Sequence, residues 1–171
     1  MSTLYYAFFA TLIIIALICQ VWIMVMQHRI SQVEKLIIER YRSKIDKIPA
    51  IVSVLQHHSK KLNEYTELTE LHRIAIISPT STIYDLLEIN VHITDRFSFM
   101  MRLALAIKST AKDGNFITIR ESITTLEGHI RELLIEFSRL TKAYNSIIKA
   151  RDYTILGALL PGSAKPVFRN R

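Results

Sequence analysis

A run of 23 residues without a single charge, Leu4 to Met26, constrains this chain more than any other feature of it. As an α-helix the run would extend about 35 Å, enough to cross a hydrocarbon core of about 30 Å. Apart from Cys19, its polar groups are Gln20 and the hydroxyls of Thr11, Tyr5 and Tyr6. Tyr5, Tyr6 and Trp22 lie near its ends, where amphipathic rings settle at the level of lipid headgroups. A buried core helix is the alternative, but globular helices of this length usually carry charge on at least one face. A cleaved secretory signal would need a basic start and small residues at its end. Here no Lys or Arg precedes Leu4 and the run closes in Ile-Met-Val-Met. A lipoprotein signal would place a small residue before its cysteine, whereas Cys19 follows Ile18. Residues 1–26 are therefore expected to stay on the protein as an anchor, with Leu4, Tyr5, Tyr6, Trp22 and Met26 marking it.

Every Asp, Glu, Lys, Arg and His lies beyond residue 26, so the formal net charge of +7 belongs to the remaining 145 residues. Arg29, Lys35, Arg40 and Arg42 follow the apolar run closely, while no side-chain base precedes it. Basic flanks are retained on the cytoplasmic side, which places the N-terminus outside and the rest of the chain in the cytoplasm. The same bases would favour anionic headgroups. Equally, with Glu34, Glu39 and Asp46 interleaved, they form an ordinary solvated helix surface. One cysteine excludes a disulfide framework and a thiolate metal site.

No glycine occurs before Gly114, and Pro49 and Pro79 are the prolines of that stretch. Apolar residues recur at helical spacing through Ile30, Val33, Ile37, Tyr41, Ile45 and Ile48, then through Ile51, Leu55, Leu62 and Leu68. Pro49 has no turn residues around it, and a lone proline kinks a helix without reversing it. We favour one helix over 28–76 kinked at Pro49, with a hairpin there as the alternative. Ser78-Pro79-Thr80-Ser81 is the first clear break, and Thr82 with Asp85 fits a capping box opening a helix over 82–112. Lys112-Asp113-Gly114-Asn115 is the strongest turn signal. A third helix over 116–150 carries the seam Ile119, Ile123, Leu126, Ile130, Leu133, Phe137, Leu140, Tyr144 and Ile147, whose steps alternate four and three. Thr118 and Glu121 suggest its cap. The expected fold is all-α: an N-terminal transmembrane helix continuing into an elongated antiparallel bundle of three or four helices spanning 27–151. The tail, 152–171, brings in glycine and proline and a patch of Tyr153, Ile155, Leu156, Leu159 and Leu160. That patch could pack on the bundle, meet another subunit or touch the membrane surface.

Several short segments resemble the LemA family. Arg42-Ser-Lys-Ile-Asp-Lys-Ile-Pro-Ala-Ile-Val-Ser-Val-Leu resembles the stretch of that family in which a polar helix runs through a Leu/Ile-Ile-Pro-x-Leu/Ile-Val motif. Leu126-Glu-Gly, Ala143-Tyr-Asn-Ser-Ile-Ile and Lys165-Pro-Val-Phe resemble its Leu-Glu-Gly, Tyr-Asn-x-x-Ile and closing Lys-Pro-x-x-Phe signatures. The chain departs from the pattern at Ala50, where the family usually has Asn, and in lacking a Trp early in its first helix. The resemblance implies a helical bundle tethered to the bacterial cytoplasmic membrane with a short external N-terminus. It implies no catalytic residues.

A search for chemistry finds little. His57 and His58 are adjacent and point about 100° apart on a helix, so they cannot share a metal. No His-Glu-x-x-His, no Gly-x-Ser-x-Gly elbow and no phosphate-binding glycine loop occurs. Acids and bases mix along every helix, which argues against a nucleic-acid face. We therefore expect no enzyme, no cofactor, no metal and no small-molecule substrate. The expected function is a single-pass scaffold or adaptor of the cytoplasmic membrane, whose partners are the bilayer and other membrane proteins or copies of itself. The alternative is a strut in a larger secretion or protease assembly, with a metal sensor built on His57, His58 and His72 as a remote third.

Overall fold

The computed structural model describes residues 2–58, 62–77, 83–152 and 164–165, and helix accounts for 95% of them with no strand among them. The elements are α1 (Ser2–Ile45), α2 (Ile48–His58), α3 (Leu62–Ile77), α4 (Ile83–Ala106), α5 (Lys108–Ala111) and α6 (Gly114–Asp152). The chain divides into two compact units, one of Met1–Glu34 with Leu134–Arg171 and one of Lys35–Leu133.

In the Lys35–Leu133 unit, α1 gives way to α2 across Asp46 and Lys47, just before Pro49. Asp46 N–H still reaches the Arg42 carbonyl at 2.9 Å, but Lys47 N–H has tightened onto Lys44 at 3.1 Å. Pro49 has no N–H to offer Ile45, and the regular ladder resumes with Ile51 N–H on Lys47 at 3.3 Å. The hydrophobic stripe nevertheless passes through without a change of face: Ile37, Tyr41, Ile45, Ile48, Ile51 and Leu55 are all buried.

The single helix expected over 28–76 is corrected. Lys44 Nζ lies 3.0 Å from Thr94 Oγ1 and Glu67 lies 2.7 Å from Arg96, so residues 44 and 67 sit beside neighbouring positions of α4. In one continuous helix their 23 steps of rise would separate them by about 35 Å. α3 must fold back, and it packs on both α2 and α4. The sequence hides this reversal, because its connection has neither Gly nor Pro and joins two helices with the same stripe. The break at Ser78 to Ser81 and the cap expected at Thr82 lie outside the described residues.

The helix expected over 82–112 is interrupted at Ile107, which adopts an extended φ of −91° and ψ of 109° before the single turn of α5. Ile107 is β-branched and suits that conformation, and no Gly or Pro flags it. α5 packs on α2. The β-branched Ile89 to Ile93 segment is helical, with Ile93 fully buried.

α6 begins at Gly114, and its cap is Asp113. The Asp113 carboxylate accepts the N–H groups of Asn115 at 2.8 Å and Phe116 at 3.1 Å. The cap expected from Thr118 and Glu121 is corrected accordingly: the Thr118 hydroxyl donates back to the Gly114 carbonyl from inside the helix. Asp113→Ala will cost about 1 kcal/mol, visible as a lower melting temperature, while Asp113→Asn retains most of the stability. No loss from Asp113→Ala would show that the cap contributes nothing.

The α6 seam behaves as a straight helix rather than a strict heptad. Ile123, Leu126, Ile130, Phe137, Leu140 and Tyr144 are buried, whereas Ile119, Leu133 and Ile147 are half-buried. Phe116, Thr141 and Ile148 complete the buried stripe. A helix of period 3.6 drifts about 20° per heptad against a 3.5 repeat, which carries burial from position 147 to 148 by the end of α6.

In the other unit, α1 leaves at Glu34 and α6 enters at Leu134, and the two helices pass in opposite directions. Ile23, Met26, Ile30 and Val33 are buried on α1, as are Phe137, Leu140, Tyr144 and Ile148 on α6. Gln27 Nε2 donates to the Tyr144 hydroxyl at 2.9 Å, which satisfies a phenol whose residue is wholly buried.

Candidate functional site

The most unusual surface is the first part of α1. Tyr5, Tyr6, Phe8, Phe9, Ile13, Ile14, Leu17, Ile18, Val21 and Trp22 are all more than half exposed. Of the most apolar window of this helix, 6% is buried. It is one helix long and apolar enough to cross a membrane. Met26, expected at the edge of the anchor, is instead buried with Ile23, so packing begins before the apolar run has ended. The Leu4 side chain and the tail patch of Tyr153, Ile155, Leu156, Leu159 and Leu160 lie outside what is described. Arg29, Lys35, Arg40 and Arg42 are exposed.

Inside the Lys35–Leu133 unit lies a polar group that pattern reading takes for surface charge. Lys44 is buried, and its ammonium donates to Thr94 Oγ1 at 3.0 Å and pairs with Glu127 at 2.8 Å. The signal was present in the spacing, since Lys44 falls on the stripe of Tyr41, Ile45 and Ile48. Burial pushes the neighbouring Tyr41 phenol up to about 12, with the Glu127 carboxylate adding to the rise. The folded state thus favours the neutral phenol. Its contribution is intact below the ordinary tyrosine value of 10.0 and is lost as pH climbs towards 12. Tyr41→Phe should remove about 2 to 3 kcal/mol of alkaline destabilisation between those values. Identical alkaline melting curves for the variant and the parent would show that Tyr41 ionises freely.

The four segments that carry the family resemblance meet in pairs. Lys44, in the stretch that runs through Pro49, pairs with Glu127 of Leu126-Glu-Gly. Asn145 of the Tyr-Asn segment holds the backbone of Lys165, whose N–H it accepts at 2.9 Å and whose carbonyl it bonds at 2.6 Å. These motif residues tie distant parts of the chain together.

Among the described residues no three His, Cys, Asp or Glu side chains gather so as to hold a metal ion. Two open grooves flank α4: one is lined by Glu67, His92, Asp95, Arg96 and Phe99, the other by Phe97, Met101, Leu105, Arg120 and Ile123 among others. Phe99 and Leu105 stand exposed at these grooves and Val91 is exposed further along α4. No family model, curated protein or solved structure matches the chain.

Proposed function

We propose that this protein is a non-enzymatic, single-pass scaffold of a cytoplasmic membrane, in which the start of α1 spans the bilayer and the helices beyond it form a bundle that binds other proteins. The observation that carries this reading is the contrast along α1. Its first five turns present large apolar side chains to the surroundings, and its later turns bury the same residue types against other helices. In water such a sleeve would expose apolar area well beyond the few hundred Å² that soluble monomers tolerate. In lipid it is at its lowest free energy. The exposed Arg29, Lys35, Arg40 and Arg42 would hold the bundle on the cytoplasmic side with the N-terminus outside. The LemA-like segments agree with a tethered helical body, and we carry that kinship as part of the proposal. Exposed Val91, Phe99 and Leu105 beside the α4 grooves offer a partner surface.

Crosslinking in intact membranes followed by isolation in mild detergent tests the scaffold reading. Adducts of this chain with itself or with a defined membrane protein, weakened by Phe99→Glu, are the expected result. Monomer alone would overturn it.

A further inference from the structure

The unit of Met1–Glu34 with Leu134–Arg171 carries eight Lys and Arg against three Asp and Glu, so five of the seven net positive charges fall in 72 of the 171 residues. Arg139, Lys142 and Lys149 are exposed and lie together on the face of α6 turned away from its buried stripe, and Arg29 is exposed on α1. Among the described residues none of these four pairs with a carboxylate. Their level along the helices is set by the bond between Gln27 and Tyr144. Five residues onward from that bond in α6, and five back in α1, Lys149 comes level with Trp22. Ile148 and Ile23, both buried, keep the same register. By the same count Lys142 is level with Arg29. A cation therefore stands beside the last turn and a half of the uncharged run.

We infer that Lys149 and Arg29 bind the headgroup phosphates of anionic lipids, in a layer whose hydrocarbon edge lies at Trp22 rather than at Met26. This deepens the reading of α1 as a span and rests on it. Were the hydrocarbon to reach Met26, Lys149 would lie about 6 Å inside it, where an ionised group is costly. With the edge at Trp22, residues 4–21 remain, about 27 Å of helix for a core of about 30 Å. Trp22, 56% exposed, then sits in the interfacial layer that indole favours. Tyr5 and Tyr6 mark the opposite layer, about 25 Å away. The Cα–Cβ bonds of a helix tilt toward its N-terminus. That of Lys149 therefore tilts away from the hydrocarbon and that of Arg29 tilts toward it, so the two cations converge on the layer between their levels. By helical rise that layer is about 10 Å deep, against about 5 to 7 Å for the headgroups of one leaflet. Lys142 and Arg139 lie about 10 and 15 Å from the edge, where the field of an anionic surface, which decays over about 8 to 10 Å, still reaches them weakly.

Trp22, the one tryptophan of the chain, is the probe. Full-length protein would be reconstituted in phosphatidylcholine vesicles in which a fixed minor fraction of the lipid carries bromine at shallow acyl positions, on either phosphatidylglycerol or phosphatidylcholine. Quenching of Trp22 then reads which headgroup gathers beside it. Each base near an anionic surface favours it about fivefold, so a several-fold preference for phosphatidylglycerol is expected, and added salt should reduce it. Lys149→Gln and Arg29→Gln should each lower the preference several-fold, while Lys112→Gln, just before the start of α6, leaves it unchanged. Circular dichroism of each variant checks that the helices persist. Equal quenching by the two lipids, or a preference that the Lys149 and Arg29 variants both retain, would overturn the headgroup site. Stronger quenching by bromine deep in the chains than by shallow bromine would overturn the edge at Trp22. Under each of those results Trp22 is still quenched and the span stands. A tryptophan that no brominated lipid quenches would instead remove the span and the site together.

Discussion

Glu127→Ala will destabilise this protein by about 3 kcal/mol, the lower end of what breaking a buried ion pair costs, and will do more damage than Lys44→Met. The asymmetry follows from burial. The Lys44 side chain is 4% exposed and that of Glu127 is 42% exposed. Removing the carboxylate leaves an ammonium inside the helices beside the Thr94 hydroxyl, and its lost hydration is no longer offset. Removing the ammonium instead leaves Glu127 free to turn towards water, while Met fills the space of the lysine stem for under about 1.5 kcal/mol. Chemical denaturation of the two single variants decides the matter. Equal losses, or a larger loss from Lys44→Met, would mean that the lysine is solvated in the folded protein.

Ile14→Arg combined with Leu17→Arg will move the protein out of the carbonate-resistant membrane fraction. Each basic residue at the centre of a span costs about 2.5 to 3.5 kcal/mol on insertion scales, and each replaced aliphatic forfeits a few tenths more, so the pair costs roughly 7 kcal/mol. The two positions are 57% and 61% exposed, so the substitutions should leave internal packing and helicity unchanged. This makes the outcome sharp. A soluble helix would tolerate both arginines and partition as before, whereas a spanning helix fails to insert. Retention in the carbonate pellet would remove the basis for a transmembrane anchor.

The polar contacts suggest why the motif segments are short. Lys44 with Glu127, and Asn145 with Lys165, join segments distant in sequence, and each pair needs only one or two side chains at a fixed place on its helix. Around them, apolar positions accept many hydrophobic residues of similar volume.

The all-helical class, the uncharged run at the N-terminus and the break at Asp113-Gly114 were decided by the sequence, because each depends on interactions within a few residues. A 3.6-residue stripe, a stretch without charge and a carboxylate before a helix start act locally. So does the interruption of the hydrogen-bond ladder beside Pro49, which offers no N–H. Only the tertiary structure decided that the chain turns back between α2 and α3, that Ile107 leaves the helix, that Lys44 points inward and that Asn145 retrieves the tail at Lys165. Each of these depends on which stripe faces which. Two helices that share one apolar stripe read identically whether they run on or fold back, and the choice rests on packing α3 against both α2 and α4. The apolar run itself belongs to both accounts. Its length and lack of charge are properties of sequence, but the tertiary structure decided that packing already claims Ile23 and Met26 while most side chains of the turns before them stay exposed.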